Sequence, residues 1–117
     1  MIALCHMSAP EAKASYEINV KLSKNSKHKP LYQLFLKWAI SNVADGIIVG
    51  ATYPKIINYC KKIAVKKLDI YSPGIGMQGG SVTKAGTNGS DFLIVGRTIL
   101  GSKNPARTAK QLLSVSS

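Results

Sequence analysis

Two stretches of this chain, "DGIIVGAT" (Asp45 to Thr52) and "DFLIVG" (Asp91 to Gly96), run apolar without interruption and then end in glycine. A strand with no polar alternation is one covered on both faces, and in a short chain helices must supply that cover. Helices of the required kind lie between such runs. Leu31, Leu34, Phe35, Trp38 and Ala39 fall at i, i+3, i+4, i+7 and i+8, the stripe of an amphipathic helix. Pro54 suits a first helical position and is followed by Ile56, Ile57, Cys60, Ile63 and Ala64 on one face. "IALCHMS" and "LDIYS" read as two further strands, and Asn104-Pro105 reads as an N-cap and first turn leading into "ARTAKQLL".

The resulting order is four consecutive βα units in one domain spanning residues 1–117. Such alternation specifies a parallel sheet with helical crossovers. Four units are half of a TIM (β/α)8 barrel, and they could equally form a small open doubly wound sheet. Two segments are less regular. "SVTKAGTNGS" predicts a weak helix, interrupted by Gly86 and Gly89, and the lysine-rich region from Pro10 to Pro30 predicts a broken helix and loop. In either architecture ligands bind at the carboxyl edge of the strands. That edge carries Ser8, Thr52, the segment Ser72 to Gly80, and Gly96-Arg97.

Fourteen lysines and two arginines face five acids, a net charge of +11. Such a field attracts anions of any kind, phosphorylated metabolites included. A nucleic-acid module would interleave arginines and aromatics on one surface. These lysines flank loops and helix backs, so nucleic acid is the disfavoured partner. No apolar run reaches the roughly 18 residues of a membrane span, so no membrane partner is expected. "MIALCHM" lacks the features of a secretory signal. Cys5 and Cys60, without C-x-x-C spacing, read as small buried thiols in a reducing cytoplasm. No grouping of His, Cys and acids has metal-ligand spacing.

"SPGIGMQGG" (Ser72 to Gly80) holds four of the ten glycines. Glycines expose backbone N–H groups and let an anion approach them. Gln78 adds an amide donor, and the neighbouring strand tip adds Gly96 and the guanidinium of Arg97. Together these describe a phosphate grip. "GIGMQG" also matches G-x-G-x-x-G, the dinucleotide fingerprint. That motif requires a helix starting within it and an acid at the end of the next strand. Here the following helix is weak and the strand ends in Gly96-Arg97. A glycine turn that binds nothing is the third reading.

"DGIIVGAT", "SPGIGMQGG", "DFLIVGRTI" and "NPARTA", in this order and spacing, resemble the C-terminal half of archaeal-type orotidine 5′-monophosphate decarboxylases, strands five to eight of the barrel. "HMSAPEA" resembles the fifth-strand tip, while Lys13 to Lys29 match poorly. The resemblance implies a lyase of pyrimidine biosynthesis that converts orotidylate to uridylate, with no metal or organic cofactor. It implies that Gln78 hydrogen-bonds the nucleotide phosphate and that Arg97, with the amides of Gly96 and Arg97, pairs with it. It implies further that Ser8 hydrogen-bonds the pyrimidine and that Pro73 shapes the pocket beside the base.

The chain also departs from the family. The catalytic Asp-x-Lys-x-x-Asp string, which by resemblance precedes this half, does not occur among Glu11, Glu17, Asp45, Asp69 and Asp91. Lys66 and Asp69 read as a surface pair, His6 as a strand-end residue, and no catalytic residue is assigned. The expected role is the phosphate- and base-binding half of the decarboxylase, inactive alone. The alternative is a basic anion-binding module for phosphorylated metabolites or nucleic acid. A half barrel has open sheet edges and a bare inner face, so a homo-oligomer or a separate N-terminal half is expected as partner.

Overall fold

The computed structural model describes residues 1–76 and 78–116. Its main sheet consists of β1 (Ile2–His6), β4 (Gly46–Val49), β5 (Asp69–Pro73) and β6 (Phe92–Ile94), all parallel and ordered β1-β4-β5-β6. The order never reverses along the sheet. A doubly wound sheet needs such a reversal, whereas a barrel adds each strand beside the last. The architecture is therefore an arc of barrel.

The crossovers follow the sequence pattern. Helix α2 (Leu31–Ser41) links β1 to β4, α3 (Pro54–Ala64) links β4 to β5, and α4 (Val82–Thr87) links β5 to β6. Ser81 caps α4, its hydroxyl accepting from the Lys84 amide, which holds the glycine-weakened sequence to six residues of helix. Helix α6 (Pro105–Ser116) closes the chain, with Asn104 Oδ1 accepting from the Arg107 amide at 3.0 Å as an N-cap should.

Three features differ from the sequence expectations. The Pro10–Pro30 region is more than a broken helix. It holds α1 (Ala12–Tyr16) and a small antiparallel ribbon of β2 (Asn19–Val20) with β3 (Lys29–Pro30). A short helix, α5 (Arg97–Leu100), starts directly after Gly96. Lys66 and Asp69 form no ion pair among the described residues. Lys66 sits in a turn with φ of 62°, while Asp69 opens β5.

Alternation along the strands sorts side chains to two faces. Ile47, Val49, Ile70 and Cys5 point toward α2 and α3 and form the core with Leu36, Ile57 and Cys60. The opposite face carries Ile2, Leu4, Phe92 and Ile94, each 44–50% exposed. Registry aligns Leu4, Ile48, Tyr71 and Phe92 in one row across the sheet, with the Tyr71 and Phe92 rings stacked 4.8 Å apart. The amino ends are tied separately. Lys61 Nζ donates to both oxygens of Asp91 at 2.6 and 2.7 Å, and Asp91 Oδ2 accepts from the Ile70 amide at 2.9 Å. Asp91 is thus a structural clamp at the edge opposite the glycine segment.

Burial pushes the thiols of Cys5 and Cys60 up to about 12 from an ordinary 9.0. Both should resist alkylation in the native protein at pH 8 and react only on unfolding, as timed labelling with a maleimide will show. The same shift sets the sign of the alkaline response. Below pH 9 the thiols are neutral in both states and contribute nothing; from there toward pH 12 only the unfolded chain ionises, so stability falls.

Candidate functional site

The carboxyl ends of β1, β4, β5 and β6 meet at one edge, and the segment from Pro73 to Gly80 folds across it. Gly74 has φ of 93°, and a Cβ there would lie 2.5 Å from the Ser8 Cβ. Only glycine meets both demands. The loop then closes on itself, with the Gly80 amide donating to the Gly74 carbonyl at 3.0 Å and the Gly76 amide to the Gly80 carbonyl at 2.9 Å. This closure carries Gln78 back toward β1, where Ser8 Oγ donates to Gln78 Oε1 at 2.7 Å. With Oε1 turned to Ser8, the NH2 of the same amide is directed to the other side as a donor.

Arg97 arrives from the neighbouring strand. Helix α5 begins there, and its next residue fixes it to the loop: Thr98 Oγ1 donates to the Ile75 carbonyl at 2.9 Å. The outcome is a cleft of about 50 Å³ lined by Gly74, Ile75, Gln78, Ile94, Gly96 and Arg97. A cavity of this size holds little more than one small group, since a liquid water takes about 30 Å³. A Cβ at Gly96 would meet nothing within 4 Å, so its backbone is open to an approaching ligand.

Of the five residues singled out as a site, Gln78, Gly96 and Arg97 line this cleft, and Ser8 holds Gln78. Pro73 ends β5 beside them, half-buried and paired in register with Ile94, its carbonyl accepting from the Ala51 amide at 2.8 Å. Thr52 lies at the same edge and donates to the Ser8 carbonyl at 2.8 Å. Met77, within the glycine segment, lies outside the described residues. Thr98 was not legible as a site component; its only signal is its place beside Arg97.

Other candidates lie elsewhere. His6 is fully buried on the helix side of β1, with Nδ1 2.8 Å from the Met7 carbonyl and Nε2 3.3 Å from Glu17 Oε1. Its ring packs among Tyr16, Tyr32 and Tyr53, so it braces α1 and takes no part in the cleft. Among the described residues no cluster of three or more His, Cys, Asp or Glu could hold a metal, and no helix is long and apolar enough to cross a membrane. The dinucleotide reading meets a direct obstacle, because α4 starts at Val82, beyond the last glycine of the segment. The pyrophosphate of a dinucleotide would need a helix N-terminus inside the motif.

The comparisons with known proteins converge on one group. The model of the orotidine 5′-phosphate decarboxylase / HUMPS family matches residues 1–112. The chain belongs to that family. The orotidine 5′-phosphate decarboxylase of Methanococcoides burtonii is 37% identical over 84 residues, covering 72% of this chain and 39% of that protein. The enzyme of Thermococcus kodakarensis is 40% identical over 67 residues, covering 57% of this chain and 32% of that protein. In three dimensions, 99% of this chain superposes on 49% of the Methanocaldococcus jannaschii decarboxylase complexed with the inhibitor BMP, with TM-score 0.82 and 26% identity. The Pyrococcus horikoshii decarboxylase matches with TM-score 0.76 and 30% identity over 98% of this chain and 50% of that one.

The chain thus spans about two fifths of the first curated relative and half of the solved enzymes it overlays. The expected fold, four βα units of a TIM barrel, is what these superpositions show.

The Thr98–Ile75 bond is one link between the two halves of the cleft, beside the β5–β6 pairing, so Thr98→Val should loosen it while preserving side-chain shape. Expected is a loss of about 0.5–1.5 kcal/mol in urea unfolding. Thr87→Val is the control, since the Thr87 hydroxyl donates to the Thr83 and Lys84 carbonyls within α4; it should leave the contact between the loop and α5 unchanged, read as unaltered Ile75 and Thr98 amide shifts by NMR.

Proposed function

We propose that this chain is the nucleotide-binding half of an orotidylate decarboxylase, a carboxy-lyase of pyrimidine biosynthesis acting in the cytoplasm. The observation that carries this reading is the shared cleft of Gln78 and Arg97, lined also by Gly74 and Gly96. An amide NH2 and a guanidinium are both donors, and among the described residues no carboxylate lines the cleft; the amides of Gly76, Gly79 and Gly80, expected to be open to an anion, are instead taken by bonds that close the loop. That set suits a phosphate monoester dianion. The net charge of +11 favours its approach.

On this reading the rest of the nucleotide can be placed as well. With its phosphate in the small cleft, a uridylate or orotidylate extends over Pro73 toward Ser8. The Ser8 hydroxyl, whose hydrogen goes to Gln78, retains acceptor capacity for a pyrimidine N–H. Pro73, with no N–H, offers the base a flat, non-donating wall.

Decarboxylation itself asks for more than this half holds. The family chemistry develops a carbanion at C6 of the base and protonates it with a lysine held in an Asp-x-Lys-x-x-Asp array. Among the five acids of this chain no such array exists. Phosphate binding contributes to such a reaction only when catalytic groups stand at the other end of the substrate. The complementary βα units would supply them, and would also cover Ile2, Leu4, Phe92 and Ile94 on the bare sheet face. A homodimer of this chain would cover the same face without adding the array, so the N-terminal half is the partner that completes the enzyme.

Two measurements test this. Uridylate should bind the chain, and Arg97→Ala should weaken binding by about 10- to 100-fold, as expected for a hydrogen-bonded charge pair, with Gln78→Ala costing about 3- to 10-fold. A steeply salt-dependent preference for random oligonucleotides over uridylate would instead select the anion-binding alternative. Orotidylate turnover should be absent with the chain alone and appear when an N-terminal half carrying the acidic array is added. Turnover by the chain alone, or none with both halves folded together, rejects the assignment.

A further inference from the structure

A second cleft lies between the β2–β3 ribbon, α2 and α3, and none of the phosphate-grip residues lines it. Its volume, about 690 Å³, falls within the roughly 300–1,000 Å³ of small-molecule sites.

Its lining is chemically one-sided. Leu34 and Ile40 of α2, Ile63 of α3 and Val20 of β2 give it an apolar floor. Lys27 and Lys29 on the ribbon and Lys37 on α2 stand at its margin, all exposed, and no Asp or Glu lines it. The apolar side of α2 serves core and cleft together: Leu36 belongs to the core cluster and also lines the cleft, Ile40 lines the cleft and packs against that cluster, and the buried Leu34 adds to the lining. A fully hydrophilic metabolite would leave that floor uncovered. A neutral apolar molecule would leave three cations with nothing to pair.

We propose that this cleft binds an amphipathic anion, an apolar chain lying on Leu34, Ile40 and Ile63 with its carboxylate or phosphate head between Lys27, Lys29 and Lys37. Tyr59, also in the lining, supports this choice. Burial, and then the neighbouring Tyr32, raise its phenol above the ordinary value, so it remains a neutral hydrogen-bond donor beside the anion. The site is separate from the phosphate grip and does not depend on the decarboxylase assignment.

The test is an amide NMR titration of the full chain with three twelve-carbon probes below micellar concentration: laurate, dodecyl phosphate and dodecanol. One or both anions should saturate at one per chain and shift Leu34, Lys37, Ile40 and Ile63, and their ranking identifies the head group. Dodecanol should bind about tenfold more weakly, and the double substitution Lys27→Glu/Lys37→Glu should weaken the anions by about tenfold or more, as for partly exposed charge pairs. That variant should keep the dispersed amide spectrum of the parent chain, which shows that it is folded. Equal affinity for dodecanol overturns the proposal. So do shifts confined to the sheet face at Ile2, Leu4, Phe92 and Ile94. Concentration-dependent shifts of α2 without any probe would assign the cleft to a second copy of the chain and overturn it as well.

Discussion

The hydrogen-bonded register that aligns Leu4, Ile48, Tyr71 and Phe92 across four parallel strands organises everything else in this protein. Parallel pairing forces every strand to end at the same edge. Four loop tips therefore converge whatever their sequences are. The same register sends alternate residues to opposite faces, so one face becomes a core under α2 and α3 and the other becomes the inner wall of a barrel. The closeness of Ser8, Gln78 and Arg97 is a consequence of that pairing, since they lie some 90 residues apart along the chain.

On this frame the glycine segment resolves the conflict between tight approach and precise placement. Without a side chain at Gly74, the loop can lean against Ser8, and the contact gives Gln78 a fixed orientation. The bond from Thr98 to the Ile75 carbonyl then fixes Arg97 relative to the same loop. For the proposed phosphate grip this rigidity matters, because donors already in place lose less freedom when an anion arrives. Asp91 and Lys61 stabilise the opposite edge. The polar groups of the cleft and the structural ones are thus separated along the strand axis, as in barrels generally.

Much of this was legible in the residues. The unbroken apolar runs and the i, i+3, i+4 stripes specified parallel strands and helical crossovers, and Asn104 was readable as a cap because its side chain acts three residues away. The ribbon of β2 and β3 was not, because strands of two residues carry no periodicity to detect. Helix α5 was hidden for the same reason, being four residues directly after a strand. Gln78 and Arg97 stood out by residue type in a glycine context. Thr98 did not, since a threonine hydroxyl has many possible partners and only the fold selects the Ile75 carbonyl.

By itself the sequence determined which segments could be strands or helices, where backbone had to be bare, and which donors were available for an anion. It also carried the family resemblance through short strings of glycine, glutamine and arginine. Only the tertiary structure decided that the strands add in chain order, that Ser8 sets the Gln78 amide, and that an apolar cleft beside α2 is bordered by three lysines. Local preference depends on a few neighbouring residues and is written in them. Contacts between distant segments depend on how whole elements pack, so they exist only once the sheet has formed.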